Sequence, residues 1–158
     1  MDERSRPDEE RQHLEDRQHL EDREGAYELL QRGMALMRRR HNAQAAVVLE
    51  RAAKLEPGKG SILEALGRAQ FNGGQHALAR TTFERLLEID PSSPYAHYAL
   101  GMSLKRLRQL RPARTHLRLA VALDPYSPLY RSALERLGPG PEADRPRQAD
   151  PEEPGIGD

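Results

Sequence analysis

Residues 65–91, ALGRAQFNGGQHALARTTFERLLEIDP, decide the fold, because their marked positions recur one step earlier and one step later in the chain. The step is 34 residues. It links Gly33, Gly67 and Gly101, then Ala45, Ala79 and Ala113, then Leu49, Phe83 and Leu117. It also links Leu55, Ile89 and Leu123, and Pro57, Pro91 and Pro125, with an acid (Glu56, Asp90, Asp124) before each proline. Self-similarity at one fixed step marks a repeat architecture. Each proline ends the helix before it, since it has no N–H for the ladder. The glycine and alanine columns suit close approach of two helices, and the large apolar columns are expected to fill the space between repeats.

Within a unit the apolar spacing is helical: Leu29, Gly33 and Leu36 on a first helix, then Ala45, Leu49, Ala52 and Leu55 on a second. Asn72-Gly73-Gly74 breaks the middle pair. Ser93-Pro94 and Ser127-Pro128 read as N-caps followed by a first-turn proline, and Ser61 with Glu64 reads as a capping box. Pro112 falls early enough in its helix to be tolerated. The expected fold is all-α. Three tandem helix-turn-helix units (26–59, 60–93, 94–127) form an α-solenoid, closed by a short capping helix over 128–137.

Composition divides the chain the same way. Its 158 residues have a formal net charge of +0, yet residues 1–25 carry net −5, 26–137 net +9 and 138–158 net −4. Only three apolar residues lie in each flank. Residues 138–158, rich in Pro, Gly and acid, are expected to be disordered. Residues 1–25 hold the hexapeptide RQHLED twice, at 11–16 and 17–22, and read as either a frayed charged helix or a disordered flank. Six residues advance a helix by about 600°, so Leu14 and Leu20 do not share a face and no coiled coil is expected. His13 and His19 fall on different faces and read as solvated, not as metal ligands. The chain has no cysteine, no run of 18 apolar residues and no apolar stretch near its start. A cytoplasmic protein without disulfide, membrane span or secretory signal is expected.

A 34-residue helix-turn-helix with small, small, large apolar and proline columns resembles the tetratricopeptide repeat. Arg32 stands where that family usually has a large apolar residue, and Gln70 where it usually has an aromatic one. The resemblance implies a right-handed superhelix whose first helices line a concave groove for an extended peptide or a partner's helix. The lining is then Tyr27, Leu30, Met34, Met37 and Arg38 in the first unit, and Ser61, Glu64, Arg68, Phe71 and Asn72 in the second. In the third it is Tyr95, Tyr98, Met102, Lys105 and Arg106. Tyrosine, methionine and arginine suit a partner segment with apolar anchors and acidic residues. The groove is either open or partly covered by the N-terminal flank.

The family's carboxylate clamp for heat-shock chaperone tails needs Lys, Asn and Arg where this chain has Leu30, Met34, Ala65, Tyr95 and Ala99. That partner is not expected. The basic middle raises nucleic acid as the alternative partner, through Arg38-Arg39-Arg40 and the cations from Lys105 to Arg118. No base-stacking module accompanies them. His41, His76, His97 and His116 share no motif with a carboxylate or serine, no glycine loop cradles phosphate, and no metal or cofactor is expected. The chain therefore reads as a non-enzymatic adaptor. Two further expectations concern its ends. The acidic flanks either fold over the basic core and compete with ligands or act as solubilising appendages. Leu129, Tyr130, Leu134 and Leu137 either close the last repeat or form a dimer surface.

Overall fold

The computed structural model describes residues 11–13 and 25–140. Seven helices follow one another over the second of these spans: α1 Ala26–Arg38, α2 Asn42–Leu55, α3 Gly60–Asn72, α4 His76–Ile89, α5 Pro94–Arg106, α6 Leu110–Leu123 and α7 Pro128–Arg136. Each helix packs on the next, and α1 also meets α3 while α3 meets α5. Three hairpins, α1–α2, α3–α4 and α5–α6, are therefore stacked with their first helices side by side. Short α7 closes the far end against α6. The fold is the expected all-α solenoid. Residues 11–13 are helical, and residues 1–10 and 14–24 of the N-terminal flank, like 141–158 of the tail expected to be disordered, lie outside the described residues.

The glycine column sets the spacing inside each hairpin. A Cβ on Gly67 would lie 2.6 Å from the Phe83 ring, and one on Gly101 would lie 2.8 Å from Leu117 Cγ. At Gly33 it would collide with Leu49 in the same way. Leu49, Phe83 and Leu117 are buried to 1% exposure or less, and Ala45, Ala79 and Ala113 are fully buried beside them. Leu55, Ile89 and Leu123 behave otherwise, in contrast to the core role expected for large apolar columns: they are 57%, 46% and 43% exposed. They are the last residues of α2, α4 and α6, where the chain leaves the packed layers.

The turns repeat as well. Within each hairpin one residue takes the left-handed conformation: Arg40 (φ 62°), Gly74 (φ 78°) and Arg108 (φ 63°), again 34 apart. Only the middle one is glycine, so the two arginines each carry about 1–2 kcal/mol of backbone strain. Between hairpins, Asp90 Oδ1 accepts hydrogen bonds from the backbone N–H (3.1 Å) and hydroxyl (2.8 Å) of Ser92, and Asp124 Oδ1 accepts from Tyr126 N–H (3.3 Å). These side-chain turns give the acids before Pro91 and Pro125 a local role, while Glu56 pairs with Lys59 at 3.9 Å instead. Ser93 and Ser127 cap α5 and α7, accepting from Ala96 N–H and Tyr130 N–H, with prolines in the first turn. Pro112 sits in the first turn of α6. Ser61 is not a cap. Helix α3 starts at Gly60 after Lys59, so Ser61 is already helical, and Glu64 pairs with Arg68 at 3.9 Å instead. A capping hydroxyl works only from a residue whose own backbone is outside the helix.

Two polar contacts hold the interior. Gln70, 3% exposed, accepts from Thr82 Oγ1 at 2.6 Å, so the amide that replaces an aromatic residue is satisfied between α3 and α4. His97 lies 2.9 Å from the Pro91 carbonyl through Nε2 and 3.0 Å from His116 Nδ1 through Nδ1. A carbonyl only accepts, so His97 Nε2 carries the proton and its Nδ1 accepts from His116. The pair ties α5 to α6 and to the turn before α5. Burial, helped by His97, holds His116 below the usual histidine range.

Two outcomes are expected. Gly33→Val should lower unfolding stability by about 1–3 kcal/mol through overpacking, whereas Gly58→Ala, whose Cβ would meet nothing within 4 Å, should not. Denaturant titration of both variants checks this, and equal stabilities would show that the glycine column does not set the helix spacing. Acidification is the second. Below the usual histidine pKa the unfolded chain binds a proton that folded His116 resists, so stability present at neutral pH is lost as pH falls toward the folded value. Thermal unfolding between about pH 7 and 5 should show a smaller loss in His116→Gln than in the parent.

Candidate functional site

The first helices of the hairpins present one face to the inner side of the stack. Its positions follow the same step: Tyr27, Ser61 and Tyr95; Leu30, Glu64 and Tyr98; Met34, Arg68 and Met102; Met37, Phe71 and Lys105; Arg38, Asn72 and Arg106. Helical geometry alone puts them on one stripe, because offsets of three, four and seven residues share a face. The stacking of α1 on α3 and of α3 on α5 then turns three stripes into a continuous surface.

That surface holds two clefts. The first lies between α1 and α3 and encloses about 390 Å³. Leu30, Met34, Met37 and Arg38 form one wall, and Ser61, Glu64, Arg68 and Asn72 the other, over Ala65. The second lies between α3 and α5 and encloses about 500 Å³. Arg68, Phe71 and Asn72 face Tyr95, Tyr98 and Met102 there, over Ala99 and Phe83. Arg68 and Asn72 belong to both clefts and form the ridge between them. Three of the residues expected in the lining stand outside both. Tyr27 is 68% exposed on the first turn of α1, Lys105 lies in the last turn of α5, and Arg106 sits at the rim with its guanidinium 5.9 Å from the Phe71 ring centre.

Phe83 is the residue that reading the first helices alone could not find. It belongs to α4 and is a core side chain, yet its ring reaches the floor of the second cleft past Gly67. The signal in the sequence was its size, since the same column has leucine at 49 and 117. From this ring an aromatic series runs along the groove: Phe83 to Tyr95 (6.3 Å between centres), Tyr95 to Tyr98 (6.3 Å) and Tyr98 to Tyr130 of α7 (5.2 Å). Tyr130 therefore packs against the last repeat. Burial raises Tyr95 to about 12, against a smaller opposing pull from Arg68. Burial also raises Tyr98 and Tyr130. All three hydroxyls are neutral at pH 7 and serve as hydrogen-bonding groups at the edge of an apolar floor.

The charged groups complement this floor. The Glu64–Arg68 pair spans 3.9 Å with both side chains about half exposed, a contact worth about 0–1 kcal/mol that leaves the guanidinium free to meet another carboxylate. Arg38 and Arg106 add positive charge at the ends of α1 and α5, at the repeat position that Asn72 holds on α3. The five positions of a chaperone-tail clamp fall inside these clefts, but Leu30, Met34, Ala65, Tyr95 and Ala99 offer no cation or amide there. Among the described residues no three His, Cys, Asp or Glu side chains could hold a metal ion, and no helix is long and apolar enough to cross a membrane.

Comparison with known proteins agrees with the fold. MamA from Desulfovibrio magneticus RS-1 is similar in structure with a TM-score of 0.70 and 25% identity, over 73% of this chain and 66% of that one. The chain thus spans just under two thirds of the MamA length it matches. The first TPR domain of Spaghetti (RPAP3), bound to an HSP90 peptide, matches with a TM-score of 0.68 at 16% identity, over 71% of this chain and 89% of that one. The Yersinia enterocolitica type III secretion chaperone SycD, in complex with a peptide of the translocator YopD, matches with a TM-score of 0.65 at 19% identity, over 70% and 90%. No curated protein matches the chain. Tetratricopeptide repeat models match residues 30–94 and 94–127, which together take in the three hairpins except the first four residues of α1. Stacked hairpins on a 34-residue step, glycine-spaced and proline-ended, place this chain in the tetratricopeptide repeat family.

Proposed function

We propose that this chain is a non-catalytic adaptor that binds a protein partner, holding an extended or helical segment of it along the inner face of α1, α3 and α5. One observation carries the reading: two adjoining clefts, each with apolar side chains on one wall, share a single ridge of Arg68 with Asn72. A partner segment then needs two apolar anchors about one repeat apart and an acidic residue between them. The larger cleft, with Phe71, Tyr95, Tyr98 and Met102, takes the bulkier anchor. Methionine on the walls adapts to partners of different shape. SycD with its YopD peptide and the Spaghetti domain with its HSP90 peptide support the reading, since stacked hairpins of this kind hold peptides in those proteins. The apolar and tyrosine side chains at the clamp positions argue for a different peptide from a chaperone tail. A cysteine-free adaptor suits the cytoplasm.

The test is selection of displayed random peptides on the full chain, followed by affinity measurements on the selected sequences. Selected peptides should carry an aromatic or long aliphatic residue and at least one Asp or Glu. The double change Tyr98→Ser with Met102→Ser should weaken them at least tenfold, about 1.4 kcal/mol, while Val47→Ser on the outer side should not. Arg68→Gln should flatten the salt dependence of the acidic peptides and leave their apolar anchoring in place. Matching thermal unfolding of the variants guards against misfolding. Peptides that bind the Tyr98→Ser, Met102→Ser chain undiminished would overturn the groove reading.

A further inference from the structure

The third hairpin has no negative side chain of its own. From Pro91 to Leu123 there is no Asp or Glu, while Lys105, Arg106, Arg108, Arg111, Arg114 and Arg118 all fall within it. On α6, Arg111, Arg114 and Arg118 stand at i, i+3 and i+7 and form one stripe. Arg111 and Arg118 are exposed, and Arg108 precedes them in the left-handed turn before the helix. Among the described residues none of Arg108, Arg111 and Arg118 meets a carboxylate, whereas the ion pairs elsewhere join Lys59 to Glu56, Arg68 to Glu64 and Arg80 to Glu84. No side chain of α6 lines either cleft, so this stripe is a separate surface.

Arg114, in the middle of the stripe, holds the backbone that leaves α7. Its Nη1 donates to the Gly138 carbonyl and its Nη2 to the Pro139 carbonyl (3.3 Å). Gly140 lies against the same guanidinium, so close that a Cβ there would be 2.9 Å from Arg114 Nε. The chain is thus delivered onto α6 before residue 141. The next 18 residues, 141–158, carry six acids, Glu142, Asp144, Asp150, Glu152, Glu153 and Asp158, against two arginines. Such a segment can extend to about 60 Å, while α6 with its 14 residues is about 21 Å long.

We propose that residues 141–158 dock on the α6 arginine stripe as an acidic ligand carried by the chain itself, and so cover it against other polyanions. Exposed ion pairs are individually weak and screened by salt, so the contact is reversible. The tether offsets that weakness, since a short linker supplies an effective concentration on the order of millimolar. A free acidic peptide or a nucleic acid must displace the tail to reach these arginines. The groove is left open, so this surface stands or falls independently of the peptide site.

The absence of cysteine allows a direct test on the full chain. A nitroxide on Ile156→Cys reports where the tail spends its time through broadening of backbone amide signals. At about 0.02 M salt the amides of Arg111 to Arg118 should broaden more than those of α2, and at about 0.5 M the broadening should fall severalfold. Arg111→Gln with Arg118→Gln should remove it at low salt as well. A tail held near α6 only by its covalent attachment would broaden these amides equally at both salt levels and in the variant, which would overturn the proposal. Broadening of α1 and α3 in place of α6 would also overturn it and assign the tail to the groove. No broadening at all would overturn it as well and leave the stripe to an external polyanion.

Discussion

The contact between a missing side chain and a large one governs this molecule. In each hairpin a glycine on the first helix faces Leu49, Phe83 or Leu117 on the second, with no room for a Cβ between them. Overlap in a close-packed interior has to be relieved by movement of backbone, which is costly. The glycine therefore fixes how near the paired helices lie, and the fully buried alanines at 45, 79 and 113 keep the same distance along the hairpin. Three copies of one spacing give three similar hairpins, and similar hairpins stack in register. The inner surface follows from that register, since α1, α3 and α5 come to lie side by side.

The same column breaks off at α7, the last helix of the described residues. One further step from Gly101 falls on Glu135, an exposed residue of α7. A glutamate cannot offer the gap a partner helix needs, and its charge would have to be buried there. α7 accordingly acts as a lid. It packs on α6, brings Tyr130 against Tyr98, and passes the chain to Arg114 through the carbonyls of Gly138 and Pro139. Closure of the core and the exit route of the acidic segment are thus one structural event.

The two sides of the stack differ in chemistry because they are built from different helices. First helices supply aromatic rings, methionines and a few cations, with Glu64 as a partial counterweight to Arg68. The last second helix, α6, supplies arginines without any carboxylate. Apolar floors with sparse polar groups select shape and anchor side chains. A bare cationic stripe selects charge and is sensitive to salt. The two proposed roles, peptide recognition and retention of an acidic chain, therefore rest on surfaces of different chemistry.

The repeat, its helices and its stops were legible in the sequence, since a 34-residue period is a one-dimensional property and each column has a local cause. The serine caps at 93 and 127 were legible for the same reason. What required the tertiary structure was every relation between residues far apart along the chain. Phe83 reaches the groove floor only because Gly67 leaves a gap. His97 meets His116 only because α5 folds back on α6. Leu55, Ile89 and Leu123 look like core residues by period, yet they lie exposed, because burial depends on what a neighbouring hairpin covers. Ser61 looks like a cap by spacing, but the helix begins two residues too early for it. Periodicity determines which face of a helix is apolar. Only packing decides which part of that face is left for a ligand.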